Sequence, residues 1–228
     1  MDLEQPVIRI SVRNLVEFIF RSGDIDNRIG KGVQKEAMQE GSRMHRKIQG
    51  RMGIEYRAEI PLKLEVPQEQ YVLALEGRAD GIITSEEGVT IDEIKCMYTD
   101  VTRFEEPIFV HKAQAMCYAY IYALQNGLDQ ISVQMTYCDL DTEEIRRLQE
   151  SFSFFWLERW FQDMIEAYRK WTDFQFAWRK IRQASIQTLE FPFPYRDGQR
   201  KLVGDVYRTI NRKKILFIQA PTGTGKTI

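Results

Sequence analysis

The sequence lacks several features that would assign it to a familiar class of protein. Only three of its 228 residues are cysteines, Cys96, Cys117 and Cys138, and no two of them form a C-x-x-C pair. Isolated cysteines argue against a disulfide framework and a four-cysteine metal site, and they are typical of a reducing compartment. No apolar run approaches membrane-spanning length, and the acidic start Met1–Glu4 is unlike a signal peptide. These absences predict a cytoplasmic protein with no membrane partner.

An excess of charge of either sign is also missing. The chain has 32 lysines and arginines against 33 aspartates and glutamates, for a net charge of −1. This balance argues against a uniformly basic nucleic-acid binder, although a local basic groove is compatible with it. What the chain does have is 43% hydrophobic and 12% aromatic residues, the composition of a core-forming globular protein. Its length allows one full domain and part of a second.

Apolar periodicity predicts an α/β arrangement. Helices are predicted over about 12–22, 31–52 and 107–125. The period changes to two over 56–66, 70–84 and 88–98, which predicts an antiparallel meander. A further strand is predicted over 131–137.

The aromatic-rich segment 143–183 begins with a helix-start signal at Asp141–Glu144. Its aromatic residues recur at roughly helical spacing, so we expect a helical hairpin whose rings pack in a core rather than stack on bases. Prolines in the run Phe191–Pro194 mark a stiff connector and the expected domain boundary.

Two acidic residues and a lysine lie on adjacent strands of the meander. Glu93 and Lys95 are two residues apart, so both project from one face of the sheet, while Asp92 projects from the other. A turn at 85–88 brings Asp80 beside this pair. One carboxylate from each strand can hold a hard divalent cation, and Lys95 can orient or deprotonate a water or stabilise an anionic transition state. An ordinary exposed hairpin also carries such residues, so the triad by itself leaves both interpretations open.

The helices on either side of the meander carry further candidates. His45, one of only two histidines, follows Gly41 by one turn, and a neutral imidazole can ligate a metal. Gln114 and Tyr118 are one turn apart and share a helix face. The other histidine, His111, is interpreted as a solvated residue at a helix start.

The order of these residues resembles the PD-(D/E)XK nuclease superfamily, and within it the RecB-like branch. The matching motifs are Gly41-x-x-x-His45, Gly77-Arg78-Ala79-Asp80, Glu93-Ile94-Lys95 and Gln114-x-x-x-Tyr118. The resemblance spans about residues 30–140. It departs at Ala79, which stands where the superfamily name has proline, and it lacks the four-cysteine iron–sulfur site of some relatives.

The resemblance implies a restriction-endonuclease-like fold, a mixed sheet flanked by helices. It implies Mg²⁺ or Mn²⁺ at His45, Asp80 and Glu93, with Lys95 as the catalytic lysine. It also implies that Gln114 and Tyr118 position DNA.

The end of the sequence carries a separate signal. The apolar run 215–218 reads as a buried strand and precedes the phosphate-loop motif Ala-Pro-Thr-Gly-Thr-Gly-Lys-Thr at 220–227. Gly223 and Gly225 let backbone N–H groups converge on ATP phosphates, Lys226 reaches the β- and γ-phosphates, and Thr227 holds Mg²⁺.

The tail resembles the start of a DinG/XPD-type superfamily 2 helicase. In that resemblance Tyr195, Arg196 and Gln199 form the adenine-recognising segment ahead of the phosphate loop. Because the rest of the ATP site is missing, we expect the chain to be the front part of a longer protein and not to hydrolyse ATP by itself.

The sequence thus predicts a metal-dependent DNA nuclease domain over 1–188 and a truncated P-loop helicase domain over 189–228. The expected partner is DNA, single-stranded or with single-stranded ends, and ATP serves the full-length protein. Two alternatives remain open at this point. The nuclease fold is a catalytically silent DNA-binding module that guides a helicase, or the chain is a P-loop enzyme unrelated to nucleic acid.

Overall fold

A computed structural model describes residues 5–23, 31–190 and 192–219. Contacts divide the chain into two units, Met1–Phe174 and Gln175–Ile228, and the division lies ahead of the predicted boundary at 188. The elements in chain order are β1 Val7–Ser11, α1 Val12–Phe20, α2 Lys31–Gln49, β2 Tyr56–Pro67, β3 Val72–Ser85, β4 Gly88–Met97, a 3₁₀ turn Val101–Arg103, α3 Phe109–Asn126, β5 Gln130–Asp139, β6 Ile145–Ser153, α4 Phe154–Gln187 and α5 Gln199–Asn211.

The first unit is built on a six-stranded sheet. The strand order is β1-β3-β4-β5-β6, and β2 pairs with β3. The pairs β1–β3 and β4–β5 are parallel and the remaining pairs are antiparallel. Met44 and Ile48 of α2 pack on Ile94, whereas Gln114 of α3 bonds to the neighbouring Lys95, so the two helices cover opposite faces. The predicted α/β fold, a mixed sheet flanked by helices, is confirmed.

The strand β3 is shared unequally by its neighbours. β2 pairs with it from position 72 to position 83. On the opposite edge β1 ends at the pair Ser11–Glu76, and β4 takes over only at the pair Asp92–Gly81. Positions 77–80 of β3 therefore have no strand partner on that edge among the residues that the structure describes. The sheet forks there, and the fork is where the candidate site lies.

The helices of the first unit form because each has an apolar side to bury. In α1 this side is Val12, Leu15 and Val16, and Ser11 Oγ caps the first turn by accepting from the Asn14 N–H at 3.1 Å. The fourth helix packs on α3, and its contacts include the stacked rings of Tyr120 and Phe161, whose centroids are 4.3 Å apart.

The prediction of a helical hairpin over 143–183 is wrong. Residues 145–153 form β6, which pairs with β5 from Cys138–Ile145 to Gln130–Ser153, and one continuous helix follows. The supposed helix start at Asp141–Glu144 is a hairpin turn with Glu143 at a left-handed φ of 57°. The outer edge of β5 has backbone groups that need a strand partner. Pairing with this edge outweighs the local helix preference of residues 145–153, so they form a strand. Along α4 the predicted core packing holds for Phe161 and Tyr168, whereas Trp156 and Trp171 are exposed.

The second unit has no buried residue among those that the structure describes. Gln199, from the predicted adenine segment, is the first residue of α5, and its Oε1 accepts from the Arg196 N–H at 2.7 Å. The buried strand predicted at 215–218 is wrong, because these residues are exposed and extend no sheet. The backbone N–H and C=O groups of a strand need a neighbouring strand to bond to, and the described part of this unit contains none. The phosphate loop with Gly223, Gly225, Lys226 and Thr227 lies outside the described residues.

Across 5–23, 31–190 and 192–219, no helix combines the length and the apolar character that crossing a membrane requires.

Candidate active site

The fork in the sheet brings together the acidic residues and the lysine predicted from the sequence. Lys95 Nζ donates to Glu93 Oε1 at 2.7 Å and to Gln114 Oε1 at 3.2 Å. Glu93 is buried, with 1% of its surface exposed. Asp80 lies across from Glu93, because the adjacent pair Gly81–Asp92 sets the register. Glu93 and Lys95 therefore share one face, as the alternation of β4 predicted, and Asp80 lies beside them at the fork.

Asp80 is held by a bond that replaces the missing strand pairing. Its Oδ2 accepts from the Ile94 N–H at 2.8 Å, across the point where β3 and β4 diverge. Its other oxygen, Oδ1, lies 3.8 Å from Nδ1 of His45. Residue His45 comes from α2, so the site is assembled from both sides of the sheet at the fork.

One oxygen in this cluster has no hydrogen-bond partner within the described part of the chain. Glu93 Oε2 is buried and accepts no hydrogen bond from the described residues. The pKa of Glu93 is raised to about 8, mainly because the side chain is buried; Lys95 opposes this rise and the nearby Asp80 adds to it. Burial also raises the pKa of Asp80. A bound cation would relieve both effects, because it supplies the positive charge and the coordination that the protein does not.

These residues fit a hard divalent cation in their chemistry. Carboxylate oxygens, with an imidazole beside them, are ligands that Mg²⁺ and Mn²⁺ accept. Yet in the described part of the chain no three His, Cys, Asp or Glu side chains converge closely enough to form a metal centre. The structure places His45 next to Asp80 and Lys95 next to Glu93, and the full set of three ligands is not drawn together.

An open cavity of about 680 Å³ leads to the cluster. Its lining includes the predicted residues His45, Lys95 and Gln114, together with Arg13 and His111, which belong to none of the predicted motifs. The Arg13 side chain bonds to Glu17 at 2.8 Å at the cavity wall. No sequence signal singled out Arg13, because the turn of α1 that carries it matches no motif.

Gln114 and Tyr118, which are predicted to position DNA, are both buried, although a residue that contacts DNA must be accessible to it. Gln114 is buried and bonds to Lys95 as described. Tyr118 is 3% exposed, and burial raises its pKa to about 12. Its hydroxyl lies so close to Gly77 that a Cβ there would be 2.5 Å away, so the glycine of the Gly77–Asp80 motif makes room for this ring.

The opposite face of β4 carries a second buried acid. Asp92 is fully buried, and it accepts from Thr136 Oγ1 at 2.5 Å, from Gln134 Nε2 at 3.0 Å and from Tyr56 OH at 3.2 Å. The Tyr56 ring occupies the space over Gly81, where a Cβ would meet it at 2.0 Å. The prediction that Asp92 points away from Glu93 is confirmed.

The interpretation of His111 as a solvated residue is wrong. The side chain is half-buried, and its Nδ1 lies 3.5 Å from Tyr137 OH. Burial, together with the positive charges of Lys95 and Arg13, lowers the pKa of His111 to about 4, while Glu17 opposes this shift. A neutral imidazole therefore faces the cavity at physiological pH.

We expect His111 to make folding stability depend on pH. Its pKa in the folded chain lies below the ordinary value of 6.5, so its contribution is present above 6.5 and is lost as the pH falls towards 4. Over this pH range the melting temperature of wild type should fall by roughly 5 °C more than that of His111→Gln. Melting temperatures recorded by circular dichroism test this, and equal losses in the two proteins would contradict it.

Comparisons with known proteins add a weak likeness in fold. No protein-family profile and no curated protein sequence matches the chain. Among solved structures, the crystal structure of SSO0001 is similar at 19% identity and a TM-score of 0.45, covering 70% of this chain and 75% of that one. The crystal structure of the alkaline exonuclease LHK-Exo from Laribacter hongkongensis is similar at 12% identity and a TM-score of 0.46, covering 78% of this chain and 94% of that one. At such identities and TM-scores neither likeness assigns an activity to this chain.

Proposed function

We propose that the first unit is a metal-dependent DNA nuclease, a phosphodiester hydrolase of the PD-(D/E)XK type and of its RecB-like branch. The observation that carries the proposal is the buried, unpartnered Oε2 of Glu93, with Asp80 across the fork and Lys95 on the other carboxylate oxygen. Isolated buried charge is costly unless something binds to it. The motif order described above supports the same reading.

We assign each side chain its role in the proposed reaction from its position in the cluster. Asp80 and Glu93 would hold Mg²⁺ or Mn²⁺, and His45 would be the third ligand. The ion would lower the pKa of a bound water and offset charge on the phosphate in the transition state. The ammonium of Lys95, oriented by Glu93 and Gln114, donates to the attacked phosphate or guides the attacking water.

For Gln114 and Tyr118 we propose a supporting role in addition to DNA positioning. Gln114 fixes Lys95, and Tyr118 fills the space beside Gly77 so that the strand leading to Asp80 stays in place. Contact of either residue with DNA would require the strand to enter the cavity deeply, as an unpaired strand or end can. Single-stranded DNA, or DNA with single-stranded ends, is therefore the proposed substrate.

We further propose that the full-length protein is an ATP-dependent DNA helicase. The support is the sequence resemblance of Tyr195, Arg196, Gln199 and the phosphate loop at 220–227 to DinG/XPD-type helicases. Unwinding would supply the single strand that the nuclease cuts.

The test uses the 228-residue chain with end-labelled single-stranded DNA, duplex DNA and RNA, each with Mg²⁺, Mn²⁺ or EDTA. We expect cleavage of single-stranded DNA that requires a metal, is indifferent to ATP and is lost in Asp80→Asn. DNA binding without cleavage under every metal condition would reject the nuclease and support a silent DNA-binding module.

A further inference from the structure

At Asp80 the regular strand pairing of β3 is interrupted on both of its edges. On one edge β1 has ended and β4 has not begun, as described above. On the other edge the pairs Ala58–Gly81 and Ile60–Ala79 flank Glu59, which has a left-handed φ of 56°. A non-glycine residue with positive φ inside a strand is strained, and such strain is typical of functional positions.

The side chain of Gln49 bonds to both strands where their pairing is interrupted. Its Nε2 donates to the Asp80 carbonyl oxygen at 2.9 Å and to Glu59 Oε1 at 3.1 Å. Glu59 is held in turn by Arg78, whose Nε lies 3.0 Å from Oε2. Gln49 follows His45 by one turn of α2, so the two side chains share a helix face.

We propose that Gln49 is a positioning residue for the candidate metal site. It joins the helix that carries His45 to the strand position that carries Asp80, through the carbonyl of a residue that pairs with no strand in the described part of the sheet. This inference rests on the proposed function, because it assigns Gln49 to the same site.

The geometry gives Gln49 a role beyond holding the fold together. Asp80 is fixed at three points: its carbonyl by Gln49, its Oδ2 by the Ile94 N–H, and its Oδ1 beside His45. Removing the first point frees the peptide from which the carboxylate projects and breaks its link to the helix that carries His45. Partners that orient metal ligands commonly change metal affinity by 10- to 100-fold when they are mutated.

The chain offers a matched control. Gln125, near the end of α3, donates from Nε2 to the Lys63 carbonyl of β2 at 2.8 Å. The bond has the same donor and acceptor types as the Gln49 bond, but its strand position carries no candidate ligand. A purely structural contribution would be similar for the two glutamines, although the Gln125 bond is the more exposed of the two.

The experiment measures Mn²⁺ affinity by isothermal titration, with melting temperature as a second readout. It compares wild type, Gln49→Met, Gln125→Met and Asp80→Asn. We expect Gln49→Met to weaken Mn²⁺ binding by about 10-fold or more, Gln125→Met to bind as wild type, and Asp80→Asn to abolish binding. Gln49→Glu, which keeps the length but removes the donor, should weaken binding as well and serves if the methionine variant does not fold.

The outcomes separate the two proposals. Wild-type affinity in Gln49→Met or Gln49→Glu, with binding still lost in Asp80→Asn, overturns the role of Gln49 and leaves the nuclease proposal intact. An equal loss of affinity in the Gln125 control also overturns it, because the effect would then be one of general stability. No Mn²⁺ binding by wild type overturns the proposed function, and the role of Gln49 with it.

Discussion

Replacing Glu93 by glutamine is expected to abolish metal-dependent cleavage while leaving the fold intact. The amide has the same shape but cannot supply the negative charge that a divalent cation requires, and Lys95 loses its ionic partner. Loss of one such group costs about 4 kcal/mol of transition-state stabilisation, or roughly 10³ in rate. Single-turnover cleavage of labelled DNA at saturating Mn²⁺ measures the loss.

The stability of the same variant is the control. Because Glu93 Oε2 is buried without a hydrogen-bond partner in the described structure, a neutral side chain should cost little there. We expect a melting temperature within a few degrees of wild type, as estimated from the small net change in hydrogen bonding. A stable Glu93→Gln protein that cuts DNA at the wild-type rate would exclude Glu93 from the catalytic site.

Replacing Asp92 by alanine is expected to have the opposite effect: the protein loses stability, while cleavage per folded molecule changes little. The carboxylate accepts three hydrogen bonds inside the sheet, and its removal leaves Tyr56, Gln134 and Thr136 without this acceptor, the last two of them buried. Each such loss costs about 1 to 3 kcal/mol, and single substitutions seldom cost more than about 5 kcal/mol in total, so we expect a loss of about 3 to 5 kcal/mol in the free energy of unfolding. Urea unfolding followed by tryptophan fluorescence measures this free energy.

A matched variant separates the charge of Asp92 from its hydrogen bonds. Asp92→Asn keeps one carbonyl acceptor and the side-chain volume, so it should destabilise less than alanine. Cleavage per folded molecule should be close to wild type for both variants. A fully stable but inactive Asp92→Ala protein would mean that Asp92, and not Glu93, faces the metal.

Local periodicity was sufficient to predict the part of the fold that carries the site. The strands of the meander alternate clearly and are separated by polar turns, so β2, β3 and β4 lie close to their predicted positions. Alternation also placed Glu93 and Lys95 on one face and Asp92 on the other. The strand β1 was missed because its five residues are too few for a periodic signal.

The remaining errors come from interactions between segments distant in sequence. The strand β6 forms because β5 needs a partner on its outer edge, and the sequence Ile145–Ser153 itself carries no clear strand pattern. The fork at 77–80 depends on where β1 ends relative to β4, which local patterns do not contain. Gln49 and His111 reach the site only through that tertiary arrangement, so no spacing rule could select them.

The bond between the Ile94 N–H and the Asp80 carboxylate has a spectroscopic consequence. In most of a sheet an amide proton is bound to a backbone carbonyl, whose electronic character hardly responds to ligands. Here the acceptor is an oxygen of a candidate metal ligand. The Ile94 amide resonance is thus a built-in reporter of events at Asp80. In a protein labelled with ¹⁵N-isoleucine, it makes ion binding at the fork visible without a substrate and without any chemical turnover.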